Sequence, residues 1–347
     1  MALLLEKHDI QAIVAEVGLA ELMDRVIDHL AEDFGRWEGF DKSPRTANHY
    51  PHGVIELMPI SNEDWYSFKY VTGHPRNPLD GKLTVAAFGA LAEASSGYPV
   101  MVSEMTLLTA IRTAATSVFA ARLLARPDSR TMALIGTGCQ AEFQSYAFHH
   151  SFGIDTVRFY DVDPDACRKF ARNMAGHPLR LVRCDSIDEA CEGADIVSTV
   201  TADKANRTVV GRKHLIPGRH FNGVGGDCPG KTELASDMLA DLKIAVEYEP
   251  QSRIEGEIQA LPADTPVTEL WQVLNGTAPV RTSDEDMTLF DSVGFAIEDF
   301  SVLRCIYGIA NDGDFGRRST LVFAPDDPKD LYSELAVPAL PKRVAAM

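Results

Sequence analysis

The chain has 347 residues, 45% of them hydrophobic and 24% charged, which is the composition of a globular protein of about two domains. Its 33 Lys and Arg residues oppose 50 Asp and Glu residues, giving a formal net charge of −17. So negative a surface repels phosphate backbones and anionic lipids, which excludes nucleic acids and membranes as partners. A small anionic ligand would need basic residues gathered in a pocket.

The chain shows no run of the about 18 to 20 apolar residues that a membrane helix needs, and its start does not resemble a signal peptide. Six scattered cysteines without a C-x-x-C pair are typical of reduced thiols. We therefore predict a cytoplasmic protein without disulfides or a metal site. The histidines show no ligand spacing, and we interpret the acidic run Glu247, Glu249, Glu255 and Glu257 as a solvated face.

The first third of the chain mixes helices and strands. Hydrophobic periodicity predicts, in order, an amphipathic helix at 10–34, strands at 54–58 and 66–71, a hairpin of strands 84–93 and 98–104, and an apolar helix at 106–125.

From Arg130 onward, short β-rich runs alternate with helical stretches. The predicted strands are 132–135, 157–160, 179–183, 196–200, 220–224, 244–248 and 288–293. Such alternation indicates βαβ units and a parallel sheet, and therefore an α/β fold. After Asn311 the sequence turns polar and Pro-rich, and we expect it to return to the first domain or to form an arm.

A glycine-rich turn follows the strand at 132–135. Gly136-Thr137-Gly138-Cys139-Gln140-Ala141 has the G-x-G-x-x-A spacing of a dinucleotide-binding turn and opens a predicted helix at 141–150. Asp161 ends the next strand, where an acid binds ribose hydroxyls and disfavours a 2′-phosphate. The pattern predicts NAD rather than NADP, and the alternative is a structural turn with a capping Asp.

A second glycine motif, Gly225-Gly226-Asp227-Cys228-Pro229-Gly230-Lys231-Thr232, fits the phosphate-binding pattern G-x-x-x-x-G-K-T. Asp227 would put a carboxylate among phosphates, and Pro229 removes an N–H donor. We therefore expect a close approach to a cofactor here, with Asp227 at the carboxyl end of a parallel strand, where ligands of such sheets bind.

Several motifs together resemble the ornithine cyclodeaminase/mu-crystallin family. They are the segment 225–234, Arg112-Thr113-Ala114-Ala115, the segments 54–59, 68–70, 73–75 and 95–99, and Phe290-Asp291-Ser292-Val293-Gly294, spread over residues 34 to 330. The resemblance implies a homodimer with two domains. A Rossmann-type, doubly wound NAD-binding domain would span 113–312, and a mixed α+β substrate and dimerisation domain would combine 1–112 with 313–347.

The resemblance also implies conversion of L-ornithine to L-proline and ammonia with internally recycled NAD. The hydride leaves Cα, the resulting imine is attacked by the δ-amine, ammonia leaves, and the hydride returns. By position, Arg45, Lys69 and Arg112 would hold the substrate carboxylate, Asp227 would carry protons, Glu56 would lie near the reacting amine and the Val293 backbone would touch the substrate. The implied cofactor contacts are Thr84, Arg112, Gly136, Gly138, Cys139, Gln140, Asp161, Thr201, Phe221, Asn222, Gly223, Val224, Lys231 and Ser292.

Alternatives stay open at this point. Within the family, a lysine cyclodeaminase, a ketimine reductase or an amino-acid dehydrogenase are the neighbouring activities, and a mu-crystallin-like ligand-binding protein is a non-catalytic one. Arg45, Lys69 and Arg112 have the alternative of ordinary surface charges, and Asp227 that of a helix cap. Glu56 alternates with Ile55 and Leu57 and has the alternative of a solvent-facing strand residue.

Overall fold

The computed structural model describes residues 1–202 and 208–335 and contains two eight-stranded sheets. The first sheet is mixed, with seven strands from the N-terminal third and one from the tail. Its strands are Ala2–Leu5, Asp41–Lys42, Thr46–Tyr50, Gly53–Ser61, Trp65–Gly73, Val85–Glu93, Pro99–Glu104 and Arg317–Ser319. The predicted hairpin is confirmed as the antiparallel pair Val85–Glu93 and Pro99–Glu104.

The segment after Asn311 returns to the first sheet, which was one of the two predictions for it; the other was a separate arm. Arg317–Ser319 pairs antiparallel with Ala2–Leu5 at the sheet edge. The strands of this sheet alternate, so that Glu56, Met58, Lys69 and Val71 are buried on the inner face while Leu57 and Tyr66 are exposed on the other.

Four long helices accompany the mixed sheet: Lys7–Val17, Leu19–Gly35, Thr106–Leu124 and Ala296–Asp312. The single helix predicted at 10–34 is wrong, because Gly18 adopts φ +88° and ψ 139° and divides it into two. A left-handed φ of this kind is open to glycine at little cost, so the helix axis can turn here. Apolar faces of both halves nevertheless enter the core, through Ile10, Ile13, Leu22 and Val26.

Helix Thr106–Leu124 lies at the centre of the molecule. It packs against helix Leu19–Gly35 on one side and against helix Ala141–Ala147 and strand Thr288–Asp291 on the other. Among the described residues it is the one helix long and apolar enough to cross a bilayer, but 78% of its most apolar window is buried by the protein. The apolar side chains of this helix therefore form part of the hydrophobic core.

The second sheet is entirely parallel and confirms the predicted α/β class. Its strands, in spatial order, are Arg180–Arg183, Thr156–Tyr160, Thr131–Ile135, Ile196–Thr199, His220–Gly223, Thr288–Asp291, Lys243–Val246 and Thr268–Glu269. The connecting helices are Ala141–Ala147, Pro164–Met174, Ile187–Cys191, Ser236–Leu239, Glu249–Glu255 and Leu270–Leu274. The helix predicted at 141–150 is α-helical to Ala147 and continues as a π-helical turn, Phe148–Phe152.

The strand order reverses between Thr131–Ile135 and Ile196–Thr199, since the chain moves outward in opposite directions from this pair. In a doubly wound sheet the crevice at such a point, outside the carboxyl ends of the strands, is where ligands bind. The predicted glycine turn begins at this crevice. Helix Ala296–Asp312, which follows strand Thr288–Asp291, packs on the mixed sheet and on helix Leu19–Gly35.

Candidate active site

The predicted substrate residues meet in one cavity of about 190 Å³ between the two sheets. The mixed sheet supplies Lys69 and Glu56 from paired strands, and helix Thr106–Leu124 supplies Arg112. The remaining predicted residues come from loops, namely Arg45, Asp227 and Val293. Six predicted residues from separate strands, loops and a helix thus line one cavity.

Arg45 is held by contacts from both halves of the molecule. Its side chain is 6% exposed, and its guanidinium lies 3.2 Å from Glu56 Oε2 and 3.0 Å from Glu255 Oε2. Its Nη2 donates to the carbonyl oxygens of Val293 and Gly294, both at 2.5 Å. Burial opposes the charge of Arg45, but the Glu56 and Glu255 carboxylates outweigh it and raise its pKa, so the guanidinium stays charged.

Lys69 and Arg112 share a pair of carboxylates on helix Ala296–Asp312. Lys69 Nζ is 2.7 Å from Asp299 Oδ1, Arg112 Nε is 3.1 Å from the same oxygen, and Arg112 also pairs with Glu298. Burial, assisted by the neighbouring Arg112 guanidinium, lowers the pKa of Lys69 to about 8. The surface-charge interpretation of Arg45, Lys69 and Arg112 is therefore wrong, since all three side chains are below 10% exposed.

Glu56 points inward. It is 7% exposed and lies on the inner face of its strand, while its neighbour Leu57 is 41% exposed. The solvent-facing alternative for Glu56 is therefore wrong. Glu56 shares the inner face with the buried Val54, Met58 and Ile60, and it pairs there with the Arg45 guanidinium.

Asp227 lies on the loop after strand His220–Gly223, and its side chain is 56% exposed toward the cavity mouth. Lys231 Nζ is 3.4 Å from Asp227 Oδ1 and donates to the Thr201 carbonyl oxygen at 2.9 Å. Among the described contacts, Asp227 does not cap a helix. A half-exposed carboxylate that also lines the cavity is open both to solvent and to a bound ligand.

The glycines of the second motif make room for protein carboxylates. A Cβ on Gly225 would lie about 2.1 Å from Glu233 Oε2, and one on Gly226 would lie 2.4 Å from Glu257 Oε1. Glu257 in turn accepts from the backbone N–H groups of Glu233 and Leu234. The loop thus packs against buried carboxylates, which would repel the phosphates that the phosphate-binding loop of a nucleoside triphosphatase holds.

The first glycine turn has the geometry of a nucleotide-binding loop. Gly136 adopts φ +102°, and a Cβ there would lie 3.0 Å from the Val200 carbonyl oxygen, so only glycine fits this crossing of strands. Gly138 faces open space. Asp161 accepts from the Thr137 N–H at 2.6 Å and the Thr137 hydroxyl at 3.1 Å, which ties the acid to the turn.

The predicted cofactor residues divide into three groups. Arg112, Gln140, Val224 and Ser292 line the cavity. The side chains of Phe221 and Asn222 are buried within the sheet, where Asn222 donates to Ser198 and Gln144. The structure does not bring Thr84, Gly136, Gly138, Cys139, Asp161, Thr201, Gly223 and Lys231 to this cavity, and their cofactor contacts stay predictions.

Several buried acids near the site were not predicted. Glu298 and Asp299 pair with the predicted cations, Glu255 contacts Arg45, and Glu247 accepts from Ser292 Oγ and the Gly294 N–H. The solvated-face interpretation is wrong for Glu247, Glu255 and Glu257, which are at most 3% exposed. Burial raises the pKa of Glu255 to about 7, and burial together with Glu298 raises that of Glu247 to about 8. The apolar neighbours of Glu247, Glu298 and Asp299 in the sequence indicate burial, but no local pattern identifies their partners.

The fold and site define a class of protein: a doubly wound, dinucleotide-type sheet faces a small cavity lined by paired cations and carboxylates. The chain belongs to the ornithine cyclodeaminase/mu-crystallin family, whose profile matches residues 7–314. It is 51% identical to the ornithine cyclodeaminase of Agrobacterium fabrum over 323 residues, which is 93% of this chain and 91% of that protein.

Solved structures of relatives share the fold. A lysine cyclodeaminase, studied for recognition of L-lysine, L-ornithine and L-2,4-diaminobutyric acid, superposes with a TM-score of 0.90 at 32% identity, covering 95% of this chain and 98% of that one. A dimeric archaeal alanine dehydrogenase with bound NAD superposes with a TM-score of 0.84 at 28% identity, covering 92% and 99%. The resemblance found in the sequence is confirmed.

Proposed function

We propose that the protein is a cyclodeaminase that converts L-ornithine to L-proline and ammonia with bound, internally recycled NAD. The observation that carries the proposal is the meeting of Arg45, Lys69, Arg112, Glu56 and Asp227 in one cavity, in a chain about half identical to ornithine cyclodeaminases. The structure of the alanine dehydrogenase relative holds NAD, in support of the cofactor.

The glycine turn fits a dinucleotide. Gly138 faces open space, and Gln140 Oε1 is buried without a hydrogen-bond partner and lies beside the cavity, as a group awaiting a ligand would. The turn, Asp161 and the end of strand His220–Gly223 would hold the cofactor. NAD supplies a hydride acceptor that later acts as donor. A carboxylate at Asp161 favours NAD over NADP, since a 2′-phosphate beside it would be repelled.

The chain's own groups handle the carboxylate and the protons. Arg45, Lys69 and Arg112 bind and orient the substrate carboxylate. Asp227 accepts the proton that the α-ammonium must lose before oxidation, because an ammonium cannot release a hydride. Glu56 faces the reacting amine. Holding the flexible diamino acid folded brings the δ-amine onto the imine carbon, a proximity that accelerates ring closure.

The cavity offers partners for both kinds of charge on a diamino acid. Its lining carries three cations, Arg45, Lys69 and Arg112, and two carboxylates, Glu56 and Asp227. Ornithine and lysine carry one carboxylate and two ammonium groups, whereas alanine carries a single ammonium, so the two carboxylates of the lining complement a diamino acid. One methylene is worth about 1–3 kcal/mol, and so lysine stays the second candidate, supported by the lysine cyclodeaminase neighbour.

The deciding experiment is product analysis with NAD far below the substrate concentration. Ornithine, lysine and alanine are each incubated with the protein, and proline, pipecolate, pyruvate and ammonia are measured. Proline and ammonia in equal amounts, far exceeding NAD, support the proposal. Product limited by added NAD indicates a dehydrogenase, and no turnover of any substrate indicates a mu-crystallin-like binding protein.

We propose a homodimer formed through the outer face of the mixed sheet. Leu57, Tyr66 and Phe88 are between 41% and 45% exposed there, and the Tyr70 ring stacks on Phe88 at 5.2 Å. Adjacent pairing of Leu57 with Tyr70 and of Tyr70 with Phe88 makes the patch continuous. Contiguous apolar patches on a sheet mark interfaces, and the alanine dehydrogenase relative is a dimer.

We also propose the division into a substrate and dimerisation part, 1–112 with 313–347, and an NAD-binding part, 113–312. The two sheets support it, although helix Ala296–Asp312 packs on the mixed sheet. The cytoplasmic location stays a prediction.

A further inference from the structure

Protein groups surround the guanidinium of Arg45. Nη1 lies within 3.3 Å of both oxygens of Glu56, and Nη2 donates to the Val293 and Gly294 carbonyl oxygens. Nε lies 3.0 Å from Glu255 Oε2 in an ion pair that does not have hydrogen-bond geometry. A guanidinium offers five N–H groups in a planar fork. A substrate carboxylate can therefore bind Arg45 only if one of these partners gives way.

The two carboxylates on Arg45 differ in position. Glu56 lines the cavity, so an incoming ligand meets it directly. Glu255 is 3% exposed, does not line the cavity, and lies behind Arg45 on helix Glu249–Glu255 of the parallel-sheet half. A ligand entering the cavity can reach the Glu56 side of the guanidinium and leave the Glu255 side intact.

The same helix also fixes the backbone of Arg45. Gln251 Oε1 accepts from the Arg45 N–H at 3.0 Å, and Gln251 Nε2 donates to the Gly294 carbonyl oxygen at 2.8 Å. Gln251 thereby joins Arg45, 206 positions earlier in the chain, to Gly294, 43 positions later. Main chain and side chain of Arg45 are both held from this helix.

We propose that Glu255 is a positioning residue that keeps Arg45 in place while Glu56 is exchanged for the substrate carboxylate. The exchange replaces one carboxylate by another, so the guanidinium is never left buried without a counter-charge. The released Glu56 is then free to pair with a substrate ammonium. Carboxylate binding and amine recognition are coupled in this way. The inference rests on the proposed function, because it assumes an α-amino acid in this cavity.

The exchange predicts opposite effects of the two acids on a ligand that has a carboxylate and no amine. Labelled pentanoate, which has the carbon chain of ornithine and no amine to oxidise, is the probe, and its Kd is measured by equilibrium dialysis on the NAD-loaded protein. Ornithine, which this protein would turn over, is followed through its KM. E56Q removes a competing charge and should tighten pentanoate binding. E255Q and E255A should raise the Kd of pentanoate and the KM for ornithine, the alanine variant by about tenfold to a hundredfold, because Arg45 shifts.

NAD affinity and kcat at saturating ornithine separate positioning from a general structural role. For E255Q both should stay within about twofold of the unmodified protein while KM rises, and E249Q on the same helix, which pairs with Arg253, serves as the matched control. Unchanged pentanoate affinity in E255Q, or weaker pentanoate binding in E56Q, overturns the exchange. If the unmodified protein does not turn over ornithine, the proposed function fails, whereas an ornithine KM that is insensitive to E255Q defeats the inference alone.

Discussion

Asp227 combines an exposed carboxylate with a place at the carboxyl end of a parallel strand, between solvent and the cation-lined wall. We expect Asp227→Asn to lower kcat by about 10²- to 10⁴-fold, because an amide cannot accept the α-ammonium proton. NAD binding should stay unchanged, as titrated by calorimetry. Asp237→Asn, on the exposed first turn of helix Ser236–Leu239, is the control and should retain full turnover. Near-normal kcat in Asp227→Asn would remove it from proton transfer.

Lys69 gives the site a dependence on pH. Burial and Arg112 lower its pKa to about 8, so its ammonium is charged below that pH and neutral above it. The KM for ornithine should therefore rise as the pH passes through about 8, and steady-state kinetics between pH 6.5 and 9.5 would show it. In Lys69→Arg the group stays charged throughout this range, so the variant should lose that rise. The same rise in both proteins would assign it to another group.

Asp161 tests the cofactor preference. Its hydrogen bonds to Thr137 place a charged carboxylate at the turn, and Asp161→Ser removes the charge while keeping a polar side chain. The ratio of NAD to NADP affinity should fall by at least about tenfold, measured as Kd for each dinucleotide. An unchanged ratio would mean that Asp161 does not meet the ribose.

At the scale of elements, the loop carrying Asp227 is held by packing against buried acids. Gly226→Ala would place a Cβ 2.4 Å from Glu257 Oε1, so the loop or the acid must move. We expect a loss of about 1–3 kcal/mol in the free energy of unfolding, as for overpacking, together with a fall in kcat. Urea denaturation measures the first. Gly176→Ala, where a Cβ would meet no atom within 4 Å, should change neither, and a fully active Gly226→Ala would contradict this account.

The elements show why part of the site could be predicted and part could not. Strand ends and the glycine turn follow from local patterns, so the positions of Gly136, Asp161 and Asp227 were within reach of the sequence. The break at Gly18 was missed because the apolar spacing continues across it. Glu255, Glu298 and Asp299 were missed for a different reason. Their partners lie 186 or more positions away, and no local pattern encodes such a pairing.

Glu56 shows the same limit from the other side. Alternation with Ile55 and Leu57 correctly separated the two faces of the strand, but it did not show which face is the interior. The usual rule assigns the apolar face to the core. Here both faces of the strand carry apolar side chains, with Val54, Met58 and Ile60 inside and Ile55 and Leu57 outside, so the rule does not decide between them. The burial of Glu56 and the exposure of Leu57 are therefore set together by how the whole molecule packs around this strand.

At the scale of the whole molecule, that exposed face predicts the oligomeric state. Phe88→Glu places a charge within the patch formed with Leu57, Tyr66 and Tyr70, where a second subunit would have to bury it without a partner. We expect the protein to elute as a dimer and the variant as a monomer, by size-exclusion chromatography with light scattering.

The matched control is Val162→Glu, which changes an 85%-exposed apolar residue outside both sheets and should leave the dimer intact. Because Glu56 and Lys69 lie on the same strands as Leu57, Tyr66 and Tyr70, loss of the partner should also loosen the cavity wall, and the KM for ornithine should rise in Phe88→Glu. A monomeric unmodified protein, or a Phe88→Glu variant that remains dimeric, would place the interface elsewhere.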